Sequence, residues 1–168
     1  MMPAFNHIGL TVKNIERSYA FYHELAGMSE WKWEEDQQAE YASAERVSLP
    51  DGTQIISSKS EAFDRLTNNP GSEFKTVMLR SLDAHDRLVL QLVEYTAGGS
   101  GELELGHARA GSMHLSFYVR DVEEKRRQVE SFGTAKILSD IVYILPTMRS
   151  FYVADPDGVP VEFLQVIK

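Results

Sequence analysis

The sequence predicts an α+β fold made of two βαβββ modules, and three observations carry that prediction. First, the segment His7–Gly27 aligns with His114–Gly133: His7 falls on His114, Leu10 on Phe117, Val12 on Val119, Asn14 on Asp121 and Glu16 on Glu123, the mark of an internal repeat. Second, each copy reads as a strand running directly into a helix and then into further strands. Third, the stretch 96–111 joins the copies and gathers Gly98, Gly99, Gly101, Gly106 and Gly111, the composition of a flexible connector. The expected organisation is a single domain over 1–168, with one module at about 4–95, a linker at 96–111 and a second module at about 112–168.

The elements follow in order. Phe5–Val12 and Ser112–Arg120 are rich in β-branched and aromatic residues and read as strands. Asn14 and Asp121 follow as N-caps, since a short side-chain oxygen accepts from the free N–H groups of a first helical turn. Asp121 with Glu124 has the spacing of an acidic capping box. Ile15, Tyr19, Tyr22 and Ala26 make one apolar stripe at helical spacing, and Val122, Val129 and Phe132 make the other. Gly27 and Gly133 stand where each helix should stop. Further strands are expected at Met28–Glu34, Phe74–Arg80 and Leu88–Tyr95, then at Lys136–Leu138, Val142–Leu145, Arg149–Ala154 and Val159–Val166. The last pair in each copy forms a hairpin, turning at Asp83–Asp86 and at Asp155-Pro156-Asp157-Gly158. The polar stretch Glu35–Glu73 is expected to be a long loop with a short helix at Glu61–Leu66.

Composition narrows the function classes. The chain has 168 residues, no cysteine and a formal charge of −8. No disulfide framework, cysteine nucleophile or thiolate metal site is open to it. An acidic chain is a poor match for the phosphate backbone, so no nucleic-acid partner is expected. The N-terminal residues show no signal peptide, and no apolar run approaches a membrane span. The expectation is a cytoplasmic protein that does not enter a membrane and acts on a small molecule.

Strand parity suggests where chemistry sits, because successive side chains point to opposite faces. His7 alternates with Ile8 and shares its parity with Gly9; His114 alternates with Leu115 and shares its parity with Ser116 and Tyr118. Leu90-Gln91-Leu92 and Val161-Glu162-Phe163 each set one polar residue between two apolar ones. With the apolar residues packed on helices, His7, Gln91, His114 and Glu162 share one face, two from each copy. Two imidazoles, a carboxylate and an amide oxygen can hold a divalent first-row metal. Glu94 has the parity of Leu90 and belongs on the helix side. His23, His85 and His107 lack the symmetry and are expected at the surface. Tyr118, Ser116, Tyr152 and Arg149 are secondary candidates for substrate contact, with Arg149 expected to meet either an anion or, preferably, the Asp155/Asp157 turn. Trp31 and Trp33 are expected to pack in the cleft or a dimer interface.

The segments NHIGLTVKNIERSYAFYHELAGM, LVLQLVEY, MHLSFYVRDVEE and MRSFYVADPDGVPVEFLQ resemble the vicinal oxygen chelate superfamily, which includes glyoxalases, methylmalonyl-CoA epimerases, extradiol dioxygenases and bleomycin or fosfomycin resistance proteins. The resemblance spans nearly the whole chain apart from Glu35–Glu73. It implies a curved mixed sheet around a metal cleft, one divalent ion (Co, Ni, Zn, Mn or Fe) on His7, Gln91, His114 and Glu162, and a homodimer. Glutamine in the first-half position is similar to the methylmalonyl-CoA epimerase pattern, where glyoxalase I commonly has glutamate. The implied activity is isomerase or lyase chemistry on a small carbonyl compound through a metal-stabilised enolate, with Glu162 as ligand and catalytic base. Two alternatives stand beside it. FYVADPDGVPVE resembles the signature of iron(II) extradiol dioxygenases, but Tyr143-Ile144-Leu145 stands where those enzymes carry a histidine. A metal-free drug-binding protein of the bleomycin-resistance type would suit the acidic charge.

Overall fold

In the computed structural model, which describes residues 6–32, 44–82, 88–99, 101 and 110–167, the repeat becomes two separate mixed sheets. The first contains β1 (Ile8–Thr11), β2 (Met28–Glu30), β3 (Glu45–Ser48), β4 (Gln54–Ser58), β5 (Glu73–Ser81) and β6 (Val89–Ala97). Their order is β1-β6-β5-β4-β3, with β2 paired to the end of β5. The second contains β7 (Leu115–Tyr118), β8 (Lys136–Ile137), β9 (Val142–Leu145), β10 (Met148–Ala154) and β11 (Pro160–Val166). It runs β7-β11-β10-β8, and β9 also pairs with β10.

The duplication reaches the register. β1 runs parallel to β6 with Gly9 opposite Gln91, and β7 runs parallel to β11 with Ser116 opposite Glu162. Gly9 and Ser116 are equivalent in the repeat, so the two polar residues of the closing strands occupy matching places.

Among the described residues, three helices accompany the sheets: α1 (Ile15–Glu24), α2 (Glu61–Thr67) and α3 (Val122–Phe132). Asn14 Oδ1 accepts from Arg17 N–H at 2.8 Å, and Asp121 Oδ1 accepts from the N–H groups of Glu123 and Glu124, as expected of N-caps. The capping box is not reciprocal: the Glu124 carboxylate pairs with Arg127 instead. α3 ends at Gly133 in the left-handed conformation, φ 81°.

The chain divides into two compact units. The first comprises Met1–Tyr19 and Gly27–Gly101, the second Ala20–Ala26 and Glu102–Lys168. The boundary therefore runs through α1 rather than only through the glycine-rich joint. In the first unit, Val77, Leu79, Leu90 and Leu92 are buried on one sheet face, and Ile15 is buried with them. In the second, Phe151, Val153, Val161 and Phe163 are fully buried together with Val122 and Val129 of α3.

Two expectations are corrected. Glu35–Glu73 is not simply a loop with a helix. β3 and β4 form a hairpin that widens the first sheet, turning at Asp51-Gly52, where Gly52 has φ 87° and Asp51 Oδ1 accepts from Thr53 N–H. Every residue of β3 is exposed, so it shows no period-two alternation to read. The strand expected over Met28–Glu34 pairs as β2 only to Glu30, and Trp31 N–H still donates to Met78 carbonyl. The Asp155–Gly158 turn forms as expected: Asp155 Oδ1 accepts from Asp157 and Val159 N–H. The expected turn at Asp83–Asp86, His85, His107, Trp33 and most of the linker lie outside the described residues.

Candidate functional site

In the first unit, register and hydrogen bonding place Gln91 on the sheet face of Gly9 and Glu94 on the other; His7 immediately precedes β1. Gln91 lies opposite Gly9, which shares His7's parity. Glu94 Oε2 accepts from the first N–H of α1, Ile15, at 2.7 Å, where a carboxylate complements the helix dipole. The parity argument that preferred Gln91 over Glu94 matches this geometry.

The Gln91 amide is oriented by its neighbour. Buried Thr76 donates its hydroxyl proton to Leu92 carbonyl at 2.9 Å, so its oxygen can only accept from Gln91 Nε2, at 3.1 Å. The nitrogen end of the amide is committed to Thr76, and Oε1 is the end turned away as an acceptor. His7, which is exposed, donates from Nδ1 to Asn6 Oδ1 at 2.6 Å. That tautomer leaves the Nε2 lone pair available to a ligand.

The second unit repeats the arrangement with different atoms. Ser116 Oγ donates to Glu162 Oε2 at 2.8 Å, across the register pair of β7 and β11. Tyr152 lies opposite Glu162 on β10, and its ring meets the His114 ring edge-on, centroids 5.5 Å apart. Burial first, and then the Glu162 charge, push the Tyr152 phenol up from its ordinary value. Glu162 is itself buried, at 8% exposure, whereas His114 is exposed. Tyr118 shares this parity at the strand end and is 79% exposed.

Arg149 is the secondary candidate that the geometry relocates. It lies opposite Gln165, on the alternate parity to Glu162, and its guanidinium donates to Gln165 Oε1 and Glu123 Oε1 at 3.0 and 3.2 Å. Gln165 Oε1 also accepts from Val122 N–H. Arg149 therefore serves the start of α3, and it meets neither the Asp155/Asp157 turn nor the face of Glu162. The parity it shares with Phe151 and Val153 is the signal that would have placed it there.

His23, expected at the surface, is half-buried on α1. Among the described residues, no three His, Asp or Glu side chains come together as a metal-binding group. Of the four expected ligands, each unit contains one histidine and one residue with a side-chain oxygen. Two surface grooves, about 510 Å³ beside Glu24 and Phe132 and about 550 Å³ beside Phe63 and Phe74, include none of the four expected ligands.

Sequence reasoning missed Thr76, Ser116's bond to Glu162, and Asn6. Only Asn6 carried a local signal, its place next to His7. The other two need the strand pairing that brings distant residues side by side.

Solved structures share the architecture. A glyoxalase family protein from Bacillus cereus matches with a TM-score of 0.75 at 14% identity, covering 100% of this chain and 97% of its own. The fosfomycin resistance protein FosX from Listeria monocytogenes gives 0.58 at 16%, over 98% and 94% of the two chains. The trypanothione-dependent glyoxalase I of Leishmania major gives 0.54 at 19%, over 95% and 84%. At such identities these likenesses speak for the fold. No helix among the described residues is long and apolar enough to cross a membrane, and no curated protein matches the chain. The family model that matches spans residues 4–163, and by that match the chain belongs to the Glyoxalase/Bleomycin resistance protein/Dioxygenase superfamily.

Proposed function

We propose that this chain binds one divalent first-row metal ion through His7, Gln91, His114 and Glu162 and acts as an isomerase or lyase on a small carbonyl compound. One observation carries the reading: three of the four donors are each held by a partner that turns a ligating atom outward. Asn6 holds His7, Thr76 holds Gln91 and Ser116 holds Glu162. Outer hydrogen bonds of this kind orient ligands in metal sites. Two imidazole nitrogens, an amide oxygen and a carboxylate suit Co, Ni, Zn, Mn or Fe. One relative, FosX, has been solved with Mn(II) and a dihydroxypropylphosphonic acid, and another is a glyoxalase I.

When bound, the ion supplies Lewis acidity that makes the C–H beside a coordinated carbonyl more acidic. The rest is done by the chain. Ser116 anchors Glu162 Oε2, so Oε1 is the oxygen placed to take the proton and return it to a neighbouring atom. Tyr152, beside both Glu162 and His114, stays protonated at neutral pH and can donate to a substrate oxygen. A homodimer acting in the cytoplasm completes the reading.

Elemental mass spectrometry on tag-free protein tests it, beside a His7→Ala/His114→Ala double variant. The expected result is about one metal per wild-type chain and none in the variant. A wild type that is empty and cannot be loaded with Co²⁺, Ni²⁺, Zn²⁺, Mn²⁺ or anaerobic Fe²⁺ would remove the metal site and leave a small-molecule binder. Oxygen consumption with a catechol under ferrous loading would replace isomerisation with ring cleavage.

A further inference from the structure

We infer that the substrate carries an oxoanion, a carboxylate, phosphonate or phosphate, and that Arg80 with Arg46 on the first sheet receives it. The inference rests on the reading above for where the carbonyl sits, and adds what lies beside it.

The register sets out the face. On β5, Thr76 lies opposite Val93, Met78 opposite Gln91 and Arg80 opposite Val89. Arg80 therefore shares the face of Thr76, Met78 and Gln91. Its Cα is one strand over and two residues along from Gln91, about 8 Å away by ordinary strand spacings. Farther out, Ile56 lies opposite Thr76 and Arg46 opposite Ile56, so Arg46 shares that face too, about 10 Å from Thr76. Both arginines are exposed, and among the described residues neither forms an ion pair.

The acidic strand residues fall the other way. Glu45, Ser57, Lys75 and Glu94 form one row across four strands on the opposite face, and Glu30 lies opposite Leu79, which has that same parity. Glu73, beyond the bulge in β5, is taken up by Lys59 at 2.7 Å. A chain with 17 basic and 25 acidic side chains thus presents two guanidinium groups and no free carboxylate along the described strands of this face. Guanidinium forks bind pairs of carboxylate or phosphate oxygens through paired N–H donors, and cations without counter-charges on one face draw anions to it. Arg80 is near enough to hold an anionic group while the adjoining carbonyl lies at Gln91; Arg46 strengthens the field from the far side.

The test uses the full chain and three small probes: pyruvate, acetonylphosphonate and the neutral amide of pyruvate. Binding is followed by ligand-observed NMR titration, on metal-loaded protein and again after chelation. The anionic probes are expected to bind about tenfold more tightly than the amide, the strength of one charged hydrogen-bonded contact. Arg80→Gln should remove most of that preference and leave the amide unchanged. Arg80→Lys should keep part of it, and Arg80→Gln with Arg46→Gln should abolish it. Metal content and melting temperature of the variants should match wild type. Tighter binding of pyruvate points to a carboxylate substrate, and of acetonylphosphonate to a phosphonate or phosphate.

The preference is expected to survive chelation. Anion binding that depends on Arg80 in a protein that takes up no metal would therefore uphold this inference while the metal reading falls. Equal affinity for the amide and the anions, no loss in Arg80→Gln, or no binding of any probe to loaded wild type would overturn it.

Discussion

At the scale of single residues, hydrogen bonds decide which atom of a polar side chain is offered outward. Thr76 spends its one proton on Leu92 carbonyl and so can only accept from Gln91. Thr76→Val keeps the shape and the β-branching but lets the Gln91 amide turn. It should cost about 2 kcal/mol of stability, at about 1 kcal/mol for each of the two bonds lost, and about tenfold in Co²⁺ affinity by titration. Unchanged Co²⁺ affinity would mean that Thr76 has no part in orienting Gln91. The opposite parity of Gln91 and Glu94 was legible in the sequence because alternation is local. Thr76 and Arg46 were not: their positions depend on β5 pairing with β6 and with β4, and no local pattern states which strands become neighbours.

At the scale of elements, α1 carries two tyrosine–aspartate contacts, from Tyr19 and Tyr22. In the first unit, Tyr19 donates to Asp51 in the β3–β4 turn and shares a hydrogen bond of 2.8 Å with Thr53. Burial, then the Asp51 bond, push this phenol up to about 12. In the second unit, Tyr22 donates to Asp155 Oδ2 at 2.8 Å. Tyr22 is fully buried and Asp155 is 3% exposed. Burial raises the Asp155 carboxyl above its ordinary value, against the lowering pull of Tyr22 and the turn's N–H groups. A raised carboxyl binds its proton more tightly folded than unfolded. Its stabilising effect is therefore complete below the unfolded value and is lost as pH rises through the folded one. Urea unfolding from pH 4 upward should show wild type losing stability relative to Asp155→Asn, which has no proton to lose; parallel profiles would contradict the assignment. The Asp155–Gly158 turn was plain from its residues. The Asp51–Gly52 turn carries a similar signal, but fully exposed β3 gave it no patterned strand to close.

At the scale of the whole molecule, the sequence repeat and the folded units do not share a boundary. The repeat places all of α1 in the first copy, while Ala20–Ala26 belong with the second unit. There Phe21 lies edge-on to Phe132 at 6.3 Å, Tyr22 reaches Asp155, and Lys125 Nζ donates to Leu25 carbonyl at 2.9 Å. Phe21 and Tyr22 have no exposed surface. A fragment of residues 112–168 would lose that apolar cover, worth about 2 kcal/mol or more for each large side chain, and would leave Asp155 without its phenol. It should be unfolded or aggregated by circular dichroism and sedimentation. The same fragment mixed with residues 1–111 should recover structure; a well-folded isolated fragment would sink the idea. Any cut placed between the two sequence copies therefore strands Ala20–Ala26 on the wrong side, away from the unit whose core they help to close.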